Sequence, residues 1–241
     1  MFIIVNRIPG QVIKPESLID FGRQESYNGD VYYRGQSGET TVIIISQSDC
    51  RSNIESVAEG ILSSYPIRLA VYIGPATPLV PYLQQGDLVV ADRILAWPDD
   101  GNGQPDDIIL AEDETACVSS EPELVGGVFA VYETLCAGKS NRPQMIIGSV
   151  ISGNYQSFEK HAAADMHQRY GVIVGDKNCL AIARMARAQD IRFLYVGMVF
   201  EGVSDQGSGA IPQVSAGHLT GVLRRFIQTR PIATVAPIAT T

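Results

Sequence analysis

The sequence predicts an α/β fold, a β-sheet covered by helices, and two patterns carry that prediction. Short β-branched runs alternate along the chain with longer segments of helical period. Two of the runs, Thr41-Val42-Ile43-Ile44-Ile45 and Met145-Ile146-Ile147, are continuously apolar, as central strands buried on both faces must be. Strands are predicted over 2–5, 31–34, 41–46, 68–73, 87–95, 144–151, 171–174 and 192–200. Between them, 53–65 places Ile54, Val57, Ile61 and Leu62 on one stripe with Glu55, Glu59 and Ser63 facing away, the pattern of a covering helix. Helices are also predicted over 123–136, 181–188 and 214–228, the last docking through Leu219, Val222, Leu223 and Phe226. The run Asp99-Asp100-Gly101-Asn102-Gly103 marks a turn-rich loop. No interior stretch rich in Pro, Gly and Ser divides the chain, so one domain is expected over 1–230, with 231–241, containing Pro231 and Pro237, as a flexible tail.

Composition narrows the function classes. A hydrophobic fraction of 45% with 18% charged residues suits a folded core. The net charge of -8 opposes binding to nucleic-acid phosphates, which draws on clustered Lys and Arg. The four cysteines, Cys50, Cys117, Cys136 and Cys179, are widely spaced and form no zinc pattern; buried free thiols in a reducing compartment are expected. No apolar stretch reaches the ~18 residues of a membrane span, and the first residues lack the basic start and apolar run of a signal peptide. A cytoplasmic protein follows. His161 and His167, six apart, fall on different faces of a helix and His218 stands alone, so solvated helices and no metal are expected. Dinucleotide, Walker, serine-hydrolase and zinc-protease motifs are missing from the sequence, and no cofactor is expected.

The most specific signal is an order of landmarks. An amphipathic helix leads to the apolar strand Leu69-Ala70-Val71-Tyr72-Ile73-Gly74, then a short turn, then Gln85-Gly86-Asp87-Leu88-Val89-Val90-Ala91-Asp92. Later come Ile151-Ser152-Gly153-Asn154 and a strand-and-helix unit ending in Ser204-Asp205. This order resembles the nucleoside phosphorylase and nucleosidase superfamily, most closely its methylthioadenosine/S-adenosylhomocysteine nucleosidase branch, over nearly the whole chain. The resemblance implies a three-layer fold with a twisted mixed sheet, a homodimer, and a small nucleoside or nucleotide ligand at the strand ends whose N-glycosidic bond is cleaved.

That reaction needs a proton for the leaving base, a hold on the ribose hydroxyls as positive charge grows at C1', and attack by water or phosphate from the opposite face. By resemblance the acid is Asp205, in Gly202-Val203-Ser204-Asp205, or Glu201, which an ungapped count from Phe193 reaches. The family's ribose-holding Glu-Met-Glu falls on Asp176, Lys177 and Asn178 when aligned on Ala181-Ile182-Ala183, so Asn178 stands where the family has a glutamate. Its Gly-x-Ala-Gly-Gly turn falls on Gly74-Pro75-Ala76-Thr77-Pro78, which keeps Gly74 and Ala76 while two prolines remove N–H donors. Ser152, Asn154 and Tyr155 are placed near the base, with Tyr155 or Phe158 available to stack on it. Arg51 follows a strand and opens a helix with Ser48 and Asp49, a setting that favours phosphate. The water-activating glutamate after the first strand has no counterpart in Asn6-Arg7-Ile8-Pro9-Gly10-Gln11, and the arginine before the Ser-Asp is replaced by Gly197 or Glu201. Two functions follow: a purine nucleosidase or phosphorylase with an altered site, or a catalytically inactive nucleotide-sensing or scaffolding domain of the same fold.

Overall fold

The computed structural model describes residues 1–6, 13–50, 52–97, 117–140, 142–153, 160–200 and 213–229, without the side chains of 160–163 and 213–214. Its strands in chain order are β1 (Phe2–Val5), β2 (Phe21–Tyr27), β3 (Asp30–Ser37), β4 (Thr40–Ser46), β5 (Leu69–Pro78), β6 (Leu88–Ala96), β7 (Cys117–Ser119), β8 (Met145–Ser152), β9 (Val172–Asp176) and β10 (Arg192–Val199). The helices are α1 (Ile54–Ser64), α2 (Pro122–Cys136), α3 (Lys160–Tyr170), α4 (Cys179–Ala188) and α5 (Gln213–Thr229).

The described strands form one mixed sheet with β5 at its centre. β5 runs parallel to β1 on one side and to β10 on the other, and its last residues, Thr77 and Pro78, pair antiparallel with Gly175 and Val174 of β9. β10 pairs antiparallel with β6, and β6, β8 and β9 run parallel to one another, so β5, β10, β6, β8 and β9 close into a ring. From β1 the sheet extends outward through β4 and β3 to β2 at the edge. Strand alternation divides the apolar side chains between two cores. On β1, Phe2 and Ile4 join the core under α1 and α4, whereas Ile3 and Val5 join the core under α2 and α5. A smaller cluster of Leu79, Leu95, Trp97, Ile151, Met166 and Val172 lies by α3.

Several expectations are corrected. β2 was not expected because FGRQESY has no apolar alternation; as the sheet's exposed edge it needs none, and it is held by antiparallel pairing with β3 along its whole length. The signal lay in Asn28-Gly29, which turns the hairpin at φ of 51° and 89°, the left-handed region that an Asn-Gly hairpin uses. β7, three residues paired with β6, was not expected either. The turn expected at Gly74 is strand: pairing with β10 continues to Ala76 and β9 takes over at Thr77. Pro75 is tolerated because β1 stops at the partner of Ile73, so at Pro75 the sheet pairs β5 on the β10 side. Met145 to Ile147 does lie inside the sheet, but Ile147 is 44% exposed, since α2 lies mainly over β6.

Candidate functional site

The ends of β1, β8, β9 and β10 meet around the carboxy half of β5. Asn6, one residue past β1, donates its backbone N–H to the Ile73 carbonyl at 2.8 Å. Phe200, one residue past β10, donates to the Ala76 carbonyl at 3.1 Å, and Gly153, one residue past β8, donates to the Asp176 carbonyl at 3.1 Å.

Asp176 is the centre of this junction. It ends β9 at 1% exposure, and its Oδ1 accepts the backbone N–H groups of Asn178 and Cys179, both at 2.8 Å, which caps α4 from two residues upstream. Ser152 Oγ accepts the next N–H, that of Leu180, at 3.1 Å. The opening donors of α4, which as free groups would favour a ligand anion, are therefore held by the chain itself. Oδ2 of Asp176 has no hydrogen-bond partner among the described residues. Burial lifts the carboxyl from an ordinary 3.8 to about 6, against the opposing pull of the Asn178 and Cys179 N–H groups.

Tyr72 connects Asp176 to β1. Its hydroxyl accepts from Asn6 Nδ2 at 2.5 Å and stands 3.5 Å from Asp176 Oδ1, a long contact. Burial first, and then the neighbouring Asp176 charge, push the Tyr72 phenol well up, so it stays neutral. The Tyr72 ring stacks on Tyr195 with centroids 5.8 Å apart and planes 15° from parallel. Two glycines paired across β5 and β10, Gly74 and Gly197, make room for these rings. A Cβ at Gly74 would come within 2.6 Å of Tyr72 and 2.7 Å of Asp176 Oδ2; one at Gly197 would come within 2.5 Å of the Tyr195 hydroxyl. A separate cavity of about 440 Å³ lies at the amino end of β10, lined by Val118, Arg187, Arg192 and Phe193 among others.

Of the residues singled out in the sequence, Gly74, Ala76, Ser152 and Asp176 come together here. Asn178 is half-buried at the α4 amino end without a side-chain capping bond, and Lys177 is exposed. Glu201, Asp205, Asn154, Tyr155, Phe158 and Arg51 lie outside the described residues. The helix predicted over 53–65 begins at Ile54, three residues beyond Arg51, and Asn53 caps it with a side chain that accepts from Glu55 N at 3.0 Å. His167, expected on a solvated helix, is half-buried and its Nδ1 lies 3.1 Å from the Val172 carbonyl. The four cysteines are free thiols, with Cys136 and Cys179 buried and Cys50 and Cys117 half-buried. Sequence reasoning passed over Asn6, Tyr72, Tyr195 and Cys179. The usable signal was a tyrosine two residues before a glycine in each of two β-branched runs, Tyr72-Ile73-Gly74 and Tyr195-Val196-Gly197. Among the described residues no three His, Cys, Asp or Glu side chains are placed to hold a metal, and no helix is long and apolar enough to cross a membrane.

Solved structures share this architecture at low identity. A 5'-methylthioadenosine/S-adenosylhomocysteine nucleosidase of Campylobacter jejuni superposes with a TM-score of 0.75 at 10% identity, covering 95% of this chain and 99% of that one. The corresponding nucleosidase of Neisseria meningitidis, in complex with methylthio-immucillin-A, gives 0.73 at 13% identity over 95% and 99%. A futalosine hydrolase mutant of Helicobacter pylori gives 0.72 at 14% identity, again over 95% and 99%. At these identities the likeness shows the fold. No curated protein sequence matches the chain. The sequence model of the phosphorylase superfamily matches residues 10–227, and the chain therefore belongs to that superfamily, whose nucleosidase fold it has.

Proposed function

We propose that this protein binds a purine ribonucleoside at the junction of β5, β8, β9 and β10 and cleaves its N-glycosidic bond. The observation that carries the reading is the convergence of Gly74, Ala76, Ser152 and Asp176 on one point, with β10 leaving the sheet against Ala76 immediately before Glu201. In this reading Asp205 or Glu201 protonates the departing base, Tyr155 or Phe158 stacks on it, and Asn178 bonds a ribose hydroxyl. Arg51 receives phosphate if the nucleophile is phosphate. The Neisseria nucleosidase's complex with methylthio-immucillin-A supports a nucleoside-shaped ligand for this fold. The protein acts as a homodimer in the cytoplasm, the first part of which sedimentation tests directly.

A second reading, ligand sensing without turnover, is favoured by two features: the residue at 178 is neutral, and Asp176 Oδ1 is bound to α4. Incubation with adenosine, inosine and 5'-methylthioadenosine, with and without phosphate, followed by chromatography for free base and by thermal unfolding, separates the two. Base release establishes cleavage. A thermal shift without release establishes sensing. Neither effect with any nucleoside refutes ligand binding at this junction.

A further inference from the structure

At β2 the sheet ends on a row of outward-facing backbone groups. Asn28 and Gly29 make a two-residue hairpin turn, so the flanking pair, Tyr27 and Asp30, exchanges hydrogen bonds and the pairs alternate from there. Phe21, Arg23, Glu25 and Tyr27 therefore bond to β3, while Gly22, Gln24 and Ser26 turn their N–H and C=O groups away from it. A Cβ at Gly22 would come within 3.0 Å of the Gly35 Cα, the close spacing of a pair that exchanges no hydrogen bonds. Beyond β3, β2 has no strand partner among the described residues; Gly22, Gln24 and Ser26 are exposed, and Phe21 is 70% exposed. Neither lysine nor proline, the usual guards of an open edge, stands in the strand.

We infer that β2 joins the β2 of a second copy of this chain, antiparallel about a two-fold axis at Gln24, so that the two sheets become one. The backbone requires outward residues to meet outward residues: Gln24 meets Gln24, and Gly22 meets Ser26 of the other copy. The remaining side chains choose the register. Centred on Gln24, Arg23 lies opposite Glu25 and Phe21 opposite Tyr27, in the pairs without hydrogen bonds, where side chains come closest. Centred one residue either way, Arg23 would meet Arg23 or Glu25 would meet Glu25, like charges directly opposed. Larger shifts leave fewer residues paired. Arg23 Nε and Glu25 Oε1 are already 2.6 Å apart within the chain, so the two copies set four charges in alternating order. The occupant is a second copy because the strand is complementary to itself. The inference rests on the homodimer reading and names the surface that the dimer uses.

Analytical ultracentrifugation of the full chain over a concentration series tests it, with circular dichroism to confirm folding. The wild type is expected to associate. Arg23→Glu and Glu25→Arg each set like charges opposite one another on both sides of the axis, and each should weaken association by about tenfold or more. An equimolar mixture of these two variants should associate again, since one copy then carries two glutamates where the other carries two arginines. Gln24→Pro removes an outward N–H and no bond to β3, so it should abolish association, and it decides the matter where a charge variant does not fold. Undiminished association of Gln24→Pro, or no recovery on mixing the charge variants, overturns the inference alone. A wild type that stays monomeric at every concentration overturns the homodimer reading together with it.

Discussion

Asp176→Asn makes a prediction about stability that needs no ligand. A carboxyl whose folded pKa is raised, here from 3.8 to about 6 by burial, keeps its proton in the fold over a pH range in which the unfolded chain has lost it. Its contribution is therefore most favourable at the acid end and declines as pH rises from 3.8 through 6. Integrated between pH 4 and 7.5, that difference comes to roughly 2–3 kcal/mol. Asparagine keeps the acceptor for Asn178 and Cys179 but does not titrate, and its extra N–H group against Gly74 costs the same at every pH. Relative to wild type, the variant should gain roughly 2–3 kcal/mol over that interval. Urea unfolding at pH 4, 5.5 and 7.5 measures this through the single tryptophan, Trp97, which is buried at the end of β6 beside Gly153. Parallel stability curves for wild type and variant would refute both the raised pKa and the account of Asp176 as a buried charge.

Three further outcomes follow from the same geometry. Gly74→Ala drives a methyl to 2.6 Å from the Tyr72 ring and 2.7 Å from Asp176 Oδ2, so it should lower urea stability by about 2 kcal/mol; a neutral effect would show that the Tyr72 ring and the Asp176 carboxylate can shift freely. Asn53→Ala removes the α1 cap at Glu55 N and should cost about 1 kcal/mol by thermal unfolding, with Asn53→Asp retaining most of it. Tyr72→Phe removes the hydroxyl that accepts from Asn6 Nδ2 and should cost about 1 kcal/mol in urea.

The α/β class, the order of elements and eight of the strands were legible because burial on both faces writes itself into continuous apolar runs, as at Ile43 to Ile45, and helical stripes into i, i+3, i+4 spacing, as at Ile54, Val57, Ile61 and Leu62. β2 was not, because an exposed edge strand has no apolar face to display; its only trace was the Asn28-Gly29 turn. The β5 extension through Pro75 to Pro78 was hidden for a related reason. Proline argues locally for a turn, and only the neighbouring strands decide that β5 has one paired side at that point.

At the site, local residue type and family likeness pointed to Gly74, Ala76, Ser152 and Asp176, and the tertiary structure brings these four together. What each does was beyond the reach of the sequence. Asp176 and Asn178 look interchangeable as polar residues two apart, yet the fold caps α4 with one and leaves the other half-buried at its opening. Tyr72 and Tyr195 read as ordinary strand aromatics until β5 and β10 lie in register, setting Gly74 beside Gly197 and the two rings on each other. By itself the sequence determined which segments are apolar, on which period, and hence the layers they must form, because those depend on residues close along the chain. Only the tertiary structure decided that Asp176 is buried, that its Oδ2 has no hydrogen-bond partner among the described residues and that the amino end of α4 is already occupied. Those properties depend on desolvation and on hydrogen bonds between residues as far apart as Tyr72 and Asp176.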